Sequence, residues 1–195
     1  MRIAVILGTT REGRFSEKVG SWVMPYLRAR ADIEPELVDL RDHVLPPFDG
    51  PSPIRTPRTY RSAAIAAFGA VIDRADGFIV ITAEYNHGYP GELKNAIDHL
   101  FVEWNRKPVS FIGYGNAGGA RAIEQLREVA VELELAPLRH AVHVLPDVMR
   151  PVMQAETADP SLFSELDGRL TTLVDDLVWW AEALKVARSG APSGA

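Results

Sequence analysis

The stretch Ile79-Val-Ile-Thr-Ala-Glu-Tyr-Asn-His-Gly-Tyr-Pro-Gly-Glu-Leu-Lys-Asn-Ala-Ile-Asp-His-Leu100 decides the fold. An apolar, β-branched run stops at the polar loop Glu84–Gly88, and Pro90-Gly91 then leads into a helical pattern. That is a strand delivering a polar loop to a helix. In open α/β sheets ligands sit outside the carboxyl ends of strands, so a loop this rich in donors and aromatic groups is a candidate site floor.

The same unit recurs on both sides of it. Ile3 to Leu7 is a continuous apolar run, as in a strand buried on both faces of a parallel sheet, and it breaks at Gly8. Val19, Trp22, Val23, Tyr26 and Leu27 then follow the spacing of a core-facing helix, with Pro25 expected to kink it. Glu36 to Leu40 reads as a second strand, Leu45 to Pro53 as a proline-rich surface excursion, and Thr56-Pro57 as a helix start. Gly77 to Thr82 is the third strand, with a helix to about Phe101. Pro108 to Tyr114 is the fourth strand, with a helix carrying Ile123, Leu126, Ala130 and Leu133, and Ala141 to Leu145 is the fifth. Asp159-Pro160 opens the longest pattern, from Leu162 to Leu184, which could pack on the domain or on a partner chain.

Alternating strands and helices point to an α/β, flavodoxin-like three-layer sandwich: a five-stranded parallel sheet in the order 2-1-3-4-5, plus a C-terminal helix over about 160–187. Residues 1–187 are expected to form one domain and 188–195 a disordered tail.

Composition bounds the function. A net charge of −5 with no basic block argues against a nucleic-acid binder. The chain has no cysteine, which excludes disulfides, thiolate metal sites and cysteine nucleophiles. With neither a signal-peptide pattern nor a membrane-length apolar run, a soluble, cytoplasmic protein is the expectation.

In the order 2-1-3-4-5 the loops after strands one, three and four share one edge. The first, Gly8 to Phe15 and then Ser16 at a helix start, gathers hydroxyls, Arg11, Arg14 and backbone N–H groups suited to a phosphate. Its Gly8-x4-Gly13 spacing has Arg14-Phe15 where a Walker A loop needs Lys and Ser/Thr, which removes the support for nucleotide hydrolysis. A surface turn with a helix cap is the plain alternative. Gly113, Gly115 and Gly118 match Gly-x-Gly-x-x-Gly literally, but on the fourth strand, where close helix packing explains the glycines equally well. The histidines lack metal-ligand spacing, no Gly-x-Ser-x-Gly elbow exists, and nothing brings Glu84 and Asp98 together as an acid/base pair.

Three segments carry a resemblance: Gly8-Thr-Thr-Arg-Glu-Gly-Arg-Phe-Ser16, Glu84-Tyr-Asn-His-Gly-Tyr-Pro-Gly-Glu-Leu-Lys-Asn-Ala-Ile-Asp98 and Gly115-Asn-Ala-Gly-Gly-Ala-Arg121. Together they resemble the NADPH-dependent FMN reductase family over residues 1 to about 145. The resemblance implies an FMN cofactor, NADPH or NADH as co-substrate, and a homodimer or dimer of dimers. It assigns the FMN phosphate to Thr9, Arg11 and Ser16, with Phe15 beside them and Arg14 either adding a phosphate contact or pointing to solvent. Glu84, Tyr85, Asn86, His87 and Gly88 would run along the flavin ring, and Gly115, Gly118 and Gly119 would form the opposing loop. Thr9 stands where the family typically has serine, and Ala83 where it often has proline.

No protein acid or base is then expected to be catalytic and no metal is expected, because the flavin carries the chemistry. The expected activity is hydride transfer from NAD(P)H to FMN and on to a small acceptor: a flavin, quinone, azo compound or metal oxyanion. The alternatives are a flavodoxin-type electron carrier, with FMN but no NAD(P)H turnover, and a Rossmann dehydrogenase using the Gly113 loop. Of the four tryptophans, Trp104 is a candidate subunit contact near the site.

Overall fold

A computed structural model describes residues 1–157 and 159–190. The order is β1 (Arg2–Leu7), α1 (Ser16–Arg28), β2 (Glu34–Asp39), α2 (Ala63–Arg74), β3 (Gly77–Ala83), α3 (Gly91–Asp98), β4 (Pro108–Tyr114), α4 (Ala120–Glu132), β5 (Ala136–Val144), α5 (Pro146–Gln154) and α6 (Asp167–Gly190). A 3-10 turn over Pro160–Leu166 precedes α6. All strands pair in parallel, in the order β2-β1-β3-β4-β5. This is the expected sheet.

The apolar strands are buried on both faces because their alternate residues feed two cores. Ile3, Val5, Leu7, Ile79 and Ile81 point to the layer of α1, α5 and α6. Ala4, Ile6, Phe78, Val80 and Phe111 point to the layer of α2, α3 and α4. The period-2 division of the central strands β1, β3 and β4 between two helical layers is what keeps them almost wholly apolar, whereas the edge strands β2 and β5 carry Glu34, Glu36, Arg139 and His140.

Several expectations fail in detail: β5 starts at Ala136, five residues before the expected Ala141, and α5 is not among the expected elements at all. Thr56-Pro57 lies in a turn; α2 starts at Ala63, where Ser62 caps by accepting from the Ile65 amide at 3.2 Å. The first helix holds Pro25 in its interior, as expected, and runs on to Arg28. Trp104 is not a surface contact: it is 3% exposed, in edge contact with Phe78 and Phe68. The long C-terminal pattern packs on the domain through Leu170, Leu173, Val174, Leu177 and Ala181. Arg188 to Gly190 are its last residues rather than part of a tail, and 191–195 lie outside the described residues.

Candidate active site

The loops after β1, β3 and β4 do converge at one sheet edge, and α5 joins them. Between them lies a cleft of about 310 Å³ lined by Arg11, Gly13, Arg14 and Phe15, by Ala83, Glu84 and Tyr85, by Tyr114, Gly115 and Asn116, and by Met149 and Met153. This size lies at the lower end of small-molecule sites.

The first loop is built by ion pairs. Arg14 has a side chain only 1% exposed, and its guanidinium donates to the Asp39 carboxylate, to Glu17 and, at 2.5 Å, to the Thr9 carbonyl. Burial favours the neutral form of the Asp39 carboxyl, but Arg14 outweighs it and holds the group below the usual range. Arg41 clamps the loop from outside, donating to the Thr10 and Arg11 carbonyls and to Glu17. Arg14 therefore does not point to solvent; its guanidinium is committed to Asp39, Glu17 and the Thr9 carbonyl and sets the loop's shape. Thr9 is likewise committed. Its buried hydroxyl donates to Glu92 at 2.9 Å and meets the Tyr85 hydroxyl at 3.2 Å, so its one proton is taken.

What the loop leaves open is the start of α1. Among the described residues the amides of Gly13 to Glu17 have no acceptor by hydrogen-bond geometry, and no side chain caps the helix. The Ser16 and Tyr114 hydroxyls, both buried, have no partner of good geometry either, although they lie close to each other. Arg11 stands exposed at the cleft with no ion-pair partner among the described residues. Orphaned donors at a helix N-terminus are a site for an anion.

The second loop is a tight turn. Tyr85 and Gly88 exchange both backbone hydrogen bonds, at 2.8 and 3.0 Å, and Asn86 and His87 take φ values of 49° and 71°. Two consecutive left-handed residues make a type I′ turn, usually given to Asn-Gly. Asn86, His87 and Gly88 lie outside the cleft lining, and only Glu84 and Tyr85 reach it.

Sequence reasoning missed the partner that holds this turn. Arg121, at the start of α4, donates its Nε to Glu84 at 2.6 Å and its amide to the same carboxylate at 3.1 Å. Its Nη1 meets His87 Nε2 at 2.9 Å. Arginine can only donate, so in this contact the His87 nitrogen is the acceptor. Burial pushes the Glu84 carboxyl up, yet Arg121 pulls it below its ordinary range, so it stays ionised. Asp98 is elsewhere, paired with Lys94, so no acid/base pair forms. A pair 37 residues apart leaves no local signal in one sequence.

The third loop is shaped by glycine. A Cβ on Gly119 would stand 2.6 Å from Gly113 Cα, and one on Gly118 would stand 2.9 Å from His143 Cβ. These two glycines, at φ 72° and 61°, fold the loop onto β4 and β5 and do not line the cleft. Gly115 does line it, with Glu84 Cβ 3.4 Å from where its own Cβ would be. The Gly-x-Gly-x-x-Gly match is thus mainly a packing device. The α5 wall has no counterpart in the expected element order, which passes from the fifth strand to the pattern opened at Asp159-Pro160.

Comparisons with known proteins agree with this architecture. Residues 1–147 match the NADPH-dependent FMN reductase family. An NAD(P)H-dependent FMN reductase of Schizosaccharomyces pombe is 38% identical over 144 residues, 72% of each chain. A quinone reductase of Escherichia coli is 28% identical over 186 residues, covering 88% of this chain and 92% of its own. Among solved structures, the NAD(P)H:acceptor flavoenzyme FerB of Paracoccus denitrificans superposes with a TM-score of 0.69 at 24% identity, over 93% of this chain and 97% of that one. With the fold, the three-loop edge and these matches in hand, the chain belongs to the NADPH-dependent FMN reductase family.

Proposed function

We propose that this cleft holds FMN and that the protein is an NAD(P)H oxidoreductase passing reducing equivalents to a small-molecule acceptor. The observation that carries the reading is the unsatisfied start of α1. Five amides and a buried serine hydroxyl with no acceptor fit the oxygens of a phosphate monoester, and Arg11 adds a compensating charge. Deeper in the cleft, Tyr85, Tyr114 and Phe15 offer aromatic surface, and Gly115 leaves room for a ring to approach the backbone.

Bound FMN would supply a ring that accepts hydride from NAD(P)H and gives it up to the acceptor. The protein's part is binding and orientation. Arg14 and Asp39 hold the phosphate loop in shape, while the Glu84–Arg121 pair fixes the second loop against the start of α4. No side chain at the cleft is free and poised as a general acid or base, so none is assigned one. Relatives named as quinone reductases support a quinone among the acceptors. A cytoplasmic homodimer or homotetramer is part of the same proposal, and light scattering in solution tests the assembly.

Titrating FMN into the protein and adding NADPH without oxygen tests the reading. Stoichiometric binding followed by rapid bleaching of the flavin band supports it. Binding without reduction would make the protein an electron carrier, and no binding would end the proposal.

A further inference from the structure

The family match stops at residue 147, yet one wall of the cleft comes from α5, which begins at Pro146. Family membership therefore says little about the surface that closes the site.

α5 carries two apolar stripes. Val148 and Val152 are buried and seat the helix on the core. One position further round, Met149 and Met153 line the cleft. Leu145, four residues before Met149, continues this stripe to the third loop, where its Cδ2 lies 3.1 Å from a Cβ built on Gly118. The stripe is fixed, because Lys18 Nζ donates to the Val152 and Ala155 carbonyls at 2.7 and 2.8 Å and so pins the helix end to α1. It is also bare: Leu145 is 44% and Met153 57% exposed. The helix's own charges, Asp147 and Arg150, lie outside the cleft lining, Glu84 and Arg14 are closed by Arg121 and Asp39, and Arg11, the remaining charge of the lining, stands in the first loop with the phosphate end of the FMN reading and not on α5.

We infer that the Leu145–Met149–Met153 stripe recognises the electron acceptor, and that the acceptor it fits is an uncharged planar ring of the quinone type, not an anion such as a metal oxyanion. This rests on reading the cleft as the FMN site. Thioethers are polarisable and conform to the face or edge of a ring. The stripe offers an oxyanion no donor, and stripping water from a charge there has no compensation. The overall reaction balances as NADPH, a quinone and one proton giving NADP⁺ and the hydroquinone. The hydride carries two electrons and one proton, and solvent supplies the second proton.

The chain has four methionines, Met1, Met24, Met149 and Met153, so methyl-¹³C-methionine spectra are simple to assign. Adding menadione to the FMN-loaded protein without NADPH should shift the Met149 and Met153 methyl signals and leave buried Met24 in place. No shift at either cleft methionine would overturn the inference. In turnover, M149Q/M153Q should lower the preference for menadione over ferricyanide, as a ratio of kcat/KM, by about tenfold, the scale of discrimination by an apolar pocket. M149L/M153L should keep that preference within about threefold, since volume and apolarity are kept. An unchanged ratio in the glutamine variant, or an equal fall in the leucine variant, contradicts the proposal. Should the double glutamine variant not fold, M153Q alone, at an exposed position, is read the same way. A wild-type protein that binds no FMN would instead refute the reading of the cleft. Wild-type FMN turnover with a ratio that does not move refutes the acceptor wall alone.

Discussion

The two edges of the sheet both bury charge, and they handle it in opposite ways. At the N-terminal edge the buried charged groups are paired. Lys107 Nζ gives three hydrogen bonds of 2.8 Å, to the carbonyls of Ile72, Asp73 and Glu103. Asp76 takes the Arg2 amide and Lys185, and Glu103 takes the Tyr60 hydroxyl. At the C-terminal edge the Arg14–Asp39 and Arg121–Glu84 pairs are just as complete, but beside them Ser16, Tyr114 and the first amides of α1 go without. Buried ionisable groups therefore do not mark the site here. A cluster of unmet donors marks the proposed site instead, whereas Ser110 Oγ and Arg127 Nε lack partners singly and away from the cleft.

Substitutions at the two edges should accordingly split stability from binding. The largest effect belongs to Lys107→Met, which takes a donor from three carbonyls, of which only that of Ile72 keeps another, the Ala75 amide at 3.3 Å. Urea denaturation should show a loss of about 3 kcal/mol, with FMN affinity unchanged. A loss of FMN binding there would erase the distinction between the edges.

Breaking the first loop should cost both properties. Arg14→Met is expected to lose about 2 kcal/mol of stability, because Asp39 keeps some water and the Arg41 amide. It should also weaken FMN more than riboflavin, which lacks the phosphate. The same pair sets an acid limit. The Asp39 carboxyl titrates below its unfolded value of about 3.9, so its stabilisation is complete above that value and is lost as pH falls through the lower folded one. The stability gap between wild type and Asp39→Asn should be constant above about pH 5 and close below about pH 4. A gap that persists at low pH would mean the ion pair is not its source.

Ser16→Ala removes an orphan and should act the other way round. The flavin-free protein should be as stable as wild type or slightly more so, while FMN affinity falls about tenfold, one charge-assisted hydrogen bond. Smallest is His87→Gly. Relief of the left-handed backbone should offset the lost contact with Arg121 and change stability by less than about 1 kcal/mol. If His87→Ala keeps full flavin but blocks reduction by NADPH, His87 has a chemical role that its place outside the cleft does not explain.

The sheet was legible because strands buried on two faces must be apolar throughout, and each ends at a Gly or a polar loop. Strand order followed from that alternation, and the three-loop edge followed from the order. The misreadings arose where local pattern is silent. The helix α5 has proline at its first position and a second, Pro151, inside it, and such a segment shows no helical signal because a proline reads equally as a stop and as a first helical turn. Trp104 reads equally as core or contact until Phe68 and Phe78 are seen around it. Arg14 carries the charge a phosphate wants, and only Asp39, 25 residues away, turns it inward. Thr9, Gly118 and Gly119 sit at that edge as residues that build the loops, while Ser16 and the bare amides beside it carry the proposed phosphate site.

The most direct measurement compares FMN and riboflavin affinities for the flavin-free wild-type protein by calorimetric titration. The two ligands share the ring and differ in the phosphate. If the start of α1 is the phosphate site, FMN should bind at least about a hundredfold more tightly, the worth of one or two charge-assisted hydrogen bonds, and inorganic phosphate should narrow the difference. Equal affinities, or no binding of either flavin, would contradict the account.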